Sequence, residues 1–214
     1  MGDLNVAGWR SDYHRGALTE DDLPEYPFPL IAGWLQDAVD AEVPDPNAMA
    51  LATVDDGMQP DVRIVLLKGV EPERITFFTN YESAKASDLE AKPGAACCIW
   101  WPPLERQVRI SGPVTKVSRK ESEAYFASRP RESQIGAWAS RQSSVVSGRK
   151  ELEEGFKAAE KRFEGKVVPL PDWWGGYEIR YDRVEFWQGR AGRLHDRILY
   201  TKADDGWNRN RLSP

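Results

Sequence analysis

NAMALATVDDGMQPDVRIVLLK, residues 47–68, is the stretch that decides the fold. Asn47–Asp55 and Asp61–Lys68 read as two strands of alternating and apolar residues, and Asp56-Gly57 between them supplies hairpin-type turn chemistry. Arg74–Asn80 follows as a third strand rich in β-formers. Upstream, Phe28, Ile31, Trp34, Leu35, Ala38 and Val39 recur at helical spacing, so 28–42 is predicted as an amphipathic helix stopped by Pro44 and Pro46. Residues 1–26 are acidic and irregular and read as a flexible arm.

Downstream, Ser83 caps a short helix reaching Ala91 ahead of Pro93-Gly94, and Ala95–Trp101 and Glu105–Val117 are further strands. Ser118-Arg119-Lys120-Glu121 is a capping box, which predicts a helix to Arg129. Leu152, Phe156, Ala159 and Phe163 mark another over 148–164. Strands return at Tyr177–Tyr181, Val184–Gln188, Arg197–Lys202 and Trp207–Leu212, the last after an Asp205-Gly206 turn. Strands first, helices between and strands last predict an α+β, mainly β protein: a closed or nearly closed antiparallel barrel with helices packed outside. A single domain over 27–214 is expected after the arm.

Composition narrows the function. The 214 residues are 41% hydrophobic and 29% charged, and no apolar run approaches the ~18 residues of a membrane span. Asp3 and the lack of a basic, apolar leader pattern argue against secretion, and the two cysteines, Cys97 and Cys98, are adjacent and cannot form an ordinary bridge. A reduced, cytoplasmic protein is expected. The net charge of −5 hides an asymmetry: residues 1–60 hold 12 acids against Arg10 and Arg15 alone. Basic clusters on an acidic chain suit a small anionic ligand such as a phosphate ester, and not nucleic acid. Two histidines, His14 and His195, with no H-x-x-x-H and no C-x-x-C, leave no metal site to expect. The G-x-S-x-G elbow, the G-x-G-x-x-G fingerprint and the P-loop are also missing.

Three groups of residues carry candidate chemistry. Arg63 and Lys68 flank an apolar strand centre and alternate onto opposite faces, where they serve two anionic groups or simply end a buried strand in solvent. Tyr125 and Arg129 share a helix face with Ser133 just beyond Pro130, a phosphate cup or a solvated helix end. The densest segment is Phe186–Arg197, where Arg190, Arg193 and Arg197 crowd around His195 and Trp187. Such repulsion is relieved by a bound anion or electron-rich ring.

R-I-V-L-L-K at 63–68, F-F-T-N at 77–80, L-E-R-Q-V at 104–108 and S-R-P-R-E-S-Q-I-G-A-W at 128–138 resemble the pyridoxamine 5′-phosphate oxidase family. So do R-Q-S-S at 141–144, W-W-G-G at 173–176, E-F-W-Q-G at 185–189, R-L-H-D-R at 193–197 and the terminal R-L-S-P. The resemblance runs from about Arg10 to Pro214 and implies a split β-barrel of the FMN-binding type, working as a homodimer with FMN at the subunit interface. It implies that Arg63, Ile64, Val65, Leu66, Leu67, Lys68, Phe78, Thr79 and Lys85 line the flavin, with Gln107, Gln142, Ser143, Trp187 and Arg197. Lys68, Tyr125, Arg129 and Ser133 would hold the substrate phosphate, Arg193 and His195 would be the catalytic pair facing the pyridine ring, and Arg10 and Tyr13 would close over the site.

The implied reaction is the oxidation of pyridoxamine or pyridoxine 5′-phosphate by O2 to pyridoxal 5′-phosphate, with release of H2O2. One position departs from the family pattern: the run after F-T-N usually reads S-R-K, and here it is Ser83-Ala84-Lys85. The alternatives are a related flavin oxidase acting on another aromatic, such as a phenazine precursor, and a non-catalytic flavin or pyridoxal-phosphate binding protein.

Overall fold

The computed structural model describes residues 12–214, so the expectation for Arg10 lies outside the described residues. The described residues divide into two compact units: 12–46, Cys98–Ile110 and Asp182–Pro214 form one, and Asn47–Cys97 with Ser111–Tyr181 form the other.

The second unit is built on β1 (Ala48–Val54), β2 (Pro60–Val70), β3 (Arg74–Asn80) and β6 (Trp174–Arg180). β4 (Gly94–Trp101) and β5 (Arg106–Lys116) run through both units. Strand order β4-β1-β2-β3-β6-β5, with β4 also paired to β5, closes a six-stranded antiparallel barrel. Met49 and Leu51 of β1 and Ile75 and Phe77 of β3 are fully buried, as period-two alternation requires. The β1–β2 register sets Leu51 opposite Arg63 and Ala48 opposite Leu66. β2 then meets β3 with Leu67 opposite Phe77 but Gly69 opposite Thr76, so Lys68 is the extra residue of a β-bulge. Glycine is required there, because a Cβ at Gly69 would lie 2.3 Å from the Thr76 hydroxyl.

Helices α2 (Ala84–Ala91), α3 (Arg119–Ser128), α4 (Arg131–Ala139) and α5 (Arg149–Arg162) complete this unit. Ser118 caps α3 as the capping box predicts, its hydroxyl accepting from the Glu121 amide at 3.1 Å. Phe126 of α3, Ile135 of α4, and Ala159 and Phe163 around α5 pack with Trp174 of β6 into one apolar cluster. The Asp56-Gly57 turn differs from a two-residue hairpin. Val54 pairs with Pro60, the loop spans Asp55–Gln59, and the left-handed position falls on Met58 (φ 64°) and not on Gly57.

In the first unit, α1 (Phe28–Asp40) buries Ile31, Trp34 and Ala38. Trp34 meets Phe186 edge-on at 5.3 Å, and the Arg106 guanidinium lies 4.7 Å from the Trp34 ring. β7 (Arg183–Gln188), β8 (Asp196–Ala203) and β9 (Gly206–Arg211) form an antiparallel meander in which Trp187 pairs with Arg197 and Gln188 with Asp196. The loop into β9 is Asp204-Asp205, with Gly206 opening the strand at φ 134°.

Candidate functional site

A cavity of about 530 Å³ opens on the second unit. β2 supplies Arg63, Ile64, Val65, Leu66 and Lys68 to its lining, both faces of the strand being used across the bulge. β3 supplies Phe78 and Thr79, α2 supplies Lys85, α3 and its C-cap supply Tyr125 and Arg129, and the following loop supplies Gln142 and Ser143. All the residues the sequence assigns within this unit are therefore brought together except two. Leu67 turns into the barrel and is 3% exposed, and Ser133 sits on α4 outside the lining.

One wall is aromatic. Phe78 stacks on Tyr125 with centroids 3.9 Å apart and planes 19° from parallel, and Trp174 lies parallel to Tyr125 at 6.1 Å. Trp174 belongs to the W-W-G-G motif but carried no predicted role. The signal was the pair of glycines: a Cβ at Gly176 would come within 2.7 Å of the Phe78 ring, so the strand is stripped to seat that ring.

The lining also carries four cations, Arg63, Lys68, Lys85 and Arg129. Arg63 is neutralised within the chain, donating to Thr53 Oγ1 and Asp61 Oδ2 at 2.6 Å each, with Asp88 at 3.6 Å. Lys85 is 8% exposed, yet its ammonium donates only to neutral oxygens: Gln142 Oε1 at 3.0 Å, and Thr79 Oγ1 and Ser83 Oγ at 3.3 Å. Burial, and secondarily the Arg63 charge, hold its pKa below the ordinary lysine value. The Arg129 guanidinium stands 4.6 Å from the Trp174 ring, and its Nη1 is buried with no hydrogen-bond partner in the chain. Burial lowers its pKa also. A buried donor without an acceptor costs about 1–3 kcal/mol, more for a charged group, and a bound anion removes that cost.

Ser83 holds the N-cap position of α2, but its hydroxyl donates to the Asn80 carbonyl at 2.7 Å instead of capping the helix. The free first-turn amide of Ala84 donates to Ser143 Oγ at 3.3 Å. Two cations without carboxylate partners, an exposed helix start and a stacked aromatic wall fit a planar, phosphorylated group such as FMN or a pyridoxine phosphate.

The remaining predicted residues, Tyr13, Gln107, Trp187, Arg193, His195 and Arg197, belong to the first unit. Four of them form one cluster: Tyr13 is edge-on to Trp187 at 5.6 Å and to His195 at 5.5 Å, and the Arg193 guanidinium lies 6.0 Å from the Tyr13 ring. His195 Nδ1 accepts the Arg190 amide at 3.1 Å, which leaves the ring proton of the neutral form on Nε2. Burial and the Arg193 charge lower the His195 pKa against an opposing contribution from Asp196. Gln107 lies on β5.

Arg197 is held by a residue that the sequence reading passed over. Glu185, 2% exposed, accepts from Arg197 Nε at 2.9 Å and Nη2 at 2.8 Å, and from Arg109 at 3.3 Å. A carboxylate inside the apolar strand Val184-Glu185-Phe186 was the available signal, since such groups are buried only when paired.

Residues 35–163 match the family model described as pyridoxamine 5′-phosphate oxidase, and 174–214 match the pyridoxine 5′-phosphate oxidase C-terminal dimerisation region. The chain is 50% identical over 210 residues to the pyridoxine/pyridoxamine 5′-phosphate oxidase of Leptospira biflexa, covering 98% of this chain and 99% of that one. It is 51% identical over 211 residues to that of Pseudomonas syringae pv. syringae, covering 98% of each. Among solved structures, PhzG from Burkholderia lata 383, in complex with tetrahydrophenazine-1-carboxylic acid, superposes with a TM-score of 0.87 at 26% identity, covering 92% of this chain and 98% of that one. The barrel is thus the split β-barrel of that group, and the chain belongs to the pyridoxamine 5′-phosphate oxidase family.

Proposed function

We propose that this chain is a cytoplasmic, homodimeric FMN-dependent oxidase that converts pyridoxamine or pyridoxine 5′-phosphate to pyridoxal 5′-phosphate. The observation that carries the reading is the buried, unpartnered Arg129 Nη1 on a cavity that also holds Lys68 and Tyr125. FMN, when bound, supplies the two-electron oxidation chemistry and its renewal by O2 with formation of H2O2. Lys85, Thr79, Gln142 and Ser143 hold the flavin with the β2 residues Arg63–Leu66, and Gln107, Trp187 and Arg197, which belong to the first unit, are assigned to the flavin by the resemblance alone. Arg129, Tyr125 and Lys68 bind the substrate phosphate. Ser133, on α4, lies outside the lining.

Arg193 and His195 are assigned to the pyridine ring. His195 Nδ1 is already committed to the Arg190 amide, so the ring offers a substrate its Nε2–H as donor, not a basic nitrogen. That makes orientation its role and leaves proton abstraction to other groups. The likeness to PhzG keeps a second reading open, an aromatic carboxylic acid in place of the phosphate ester.

One experiment separates these readings. Adding pyridoxine 5′-phosphate to the flavin-loaded protein is expected to release H2O2, whereas unphosphorylated pyridoxine at the same concentration is expected to release little. Arg129→Ala, losing a charge-assisted contact of about 1.5–3 kcal/mol, should raise KM roughly 10- to 150-fold with flavin content unchanged. Equal turnover of both substrates, or loss of flavin from the variant, contradicts the assignment. No release with either substrate favours the binding-protein reading.

A further inference from the structure

Within the first unit, one carboxylate touches three separate parts of the chain. Asp196 Oδ2 accepts the Leu18 amide at 3.1 Å and Arg190 Nη1 at 3.3 Å, while Oδ1 accepts Arg211 Nη1 at 2.7 Å. Arg211 in turn donates from Nη2 to the Leu18 carbonyl at 2.7 Å, and its Nε pairs with Glu20 at 2.6 Å. Both polar groups of the Leu18 residue are therefore gripped by one ion pair, and the Leu18 side chain is 6% exposed. Five residues upstream, the Tyr13 ring lies so close to Gly189 that a Cβ there would fall within 2.8 Å of it. Between these anchors, the His14 and Arg15 amides both donate to Glu105 Oε2, at 2.8 and 2.9 Å.

The same Asp196 holds the Arg190 side chain, and the Arg190 amide fixes His195 Nδ1. Asp196 itself touches neither Tyr13 nor the His195 nitrogen through any of these bonds; it holds the segments that carry them.

We propose that Asp196 is a positioning residue that pins the Tyr13-bearing segment and the Arg190–His195 loop to each other. The inference deepens the oxidase reading by assigning a residue that acts through Tyr13 and His195. Removing the charge at Asp196 weakens the grip on Leu18 and on Arg190 together, so the segment and the loop loosen as a pair.

Asp196→Asn keeps the size of the side chain and removes its charge. Trypsin treatment of the flavin-free protein reads the pin directly: cleavage after Arg15 should accelerate about tenfold, the effect of losing roughly one charged hydrogen bond. Asp196→Glu should restore slow cleavage. In the flavin-loaded enzyme, Asp196→Asn should lower kcat about tenfold in the native background and by clearly less in a Tyr13→Ala background, where only the part carried by the Arg190–His195 loop remains. Arg211→Lys, which retains the charge but not the two-pronged grip, should give an intermediate cleavage rate and stands in if Asp196→Asn does not fold. Unchanged cleavage, or kcat losses that simply multiply in the double variant, overturns the proposal. Faster cleavage in a chain that oxidises no pyridoxine phosphate would instead overturn the oxidase reading and leave the pin standing.

Discussion

Lys85 is buried in the cavity wall and Arg129 is half-buried there with its Nη1 enclosed, and neither has a carboxylate within ion-pair distance among the described residues. Next to Lys85 stands Ala84, where the family pattern usually places arginine, and its amide reaches only Ser143 Oγ. Ala84→Arg would add a guanidinium at the exposed start of α2, so FMN affinity is expected to rise roughly 10- to 150-fold with kcat at saturation nearly unchanged. Fluorescence titration with FMN checks this, and equal affinity for both forms would show that the phosphate is already fully held. His195 yields a second prediction. Its pKa lies below the ordinary 6.5 because of burial and Arg193, so an NMR titration of its ring should show a midpoint below 6.5 that rises in Arg193→Met. The folded state thus binds this proton less readily than the unfolded chain does. The associated stability is present above pH 6.5 and is lost as pH falls through the depressed folded value. A midpoint at or above 6.5 would contradict this. Arg129 stands out in the sequence by its helix spacing from Tyr125, and His195 by the arginines crowded around it, whereas Lys85 enters only through the resemblance. Glu185 shows only as a carboxylate inside an apolar strand, and Asp196 does not show at all. Their work is to hold other side chains, and no spacing rule records that.

At the scale of elements, strong alternation and cap chemistry carried the reading and short or irregular segments escaped it. β1, β3 and the capped α3 lie where their patterns put them, within a residue or two at the ends. α4 was missed as a helix because nine residues give it little more than two turns, Gly136 sits inside it, and Ile135 is its one buried residue. The β2 bulge left a single trace, Gly69 inside the strand, where a Cβ would lie 2.3 Å from the Thr76 hydroxyl across the pair. The β1–β2 loop shows a third kind of miss. Asp55 turns the chain by accepting the Gln59 amide on Oδ1 at 2.8 Å, which carries the left-handed residue one place past Gly57 onto Met58. Met58 is 69% exposed, so its side chain contributes little packing to offset that conformation. Asparagine tolerates it better, and Met58→Asn is expected to stabilise the fold by about 0.5–1 kcal/mol. A thermal melt in which the variant unfolds no later than the native chain would count against the strain.

For the whole molecule, the question is what covers the outer face of β2. Val62 and Ile64 are 64% and 66% exposed and Leu66 is 43% exposed, and the β1 residues across from them are Ala52, Ala50 and Ala48. Three branched side chains over a row of alanines make a flat apolar strip, which a soluble monomer gains nothing by showing to water. Ile64 and Leu66 also line the cavity, so whatever covers the strip also borders the ligand. The match of residues 174–214 to a dimerisation region makes a second copy of the chain the expected cover. Sedimentation should then give a mass near twice 24.2 kDa. Ile64→Glu places a charge in the middle of the strip without touching the barrel interior, which Met49, Leu51 and Leu67 occupy on the other face. The variant is expected to sediment as a folded monomer and to lose FMN in the same step, because one surface serves both purposes. A monomer that keeps its flavin would separate the two roles and show that the cavity of a single chain is sufficient. A variant that stays dimeric would place the contact elsewhere and leave the strip to the ligand alone.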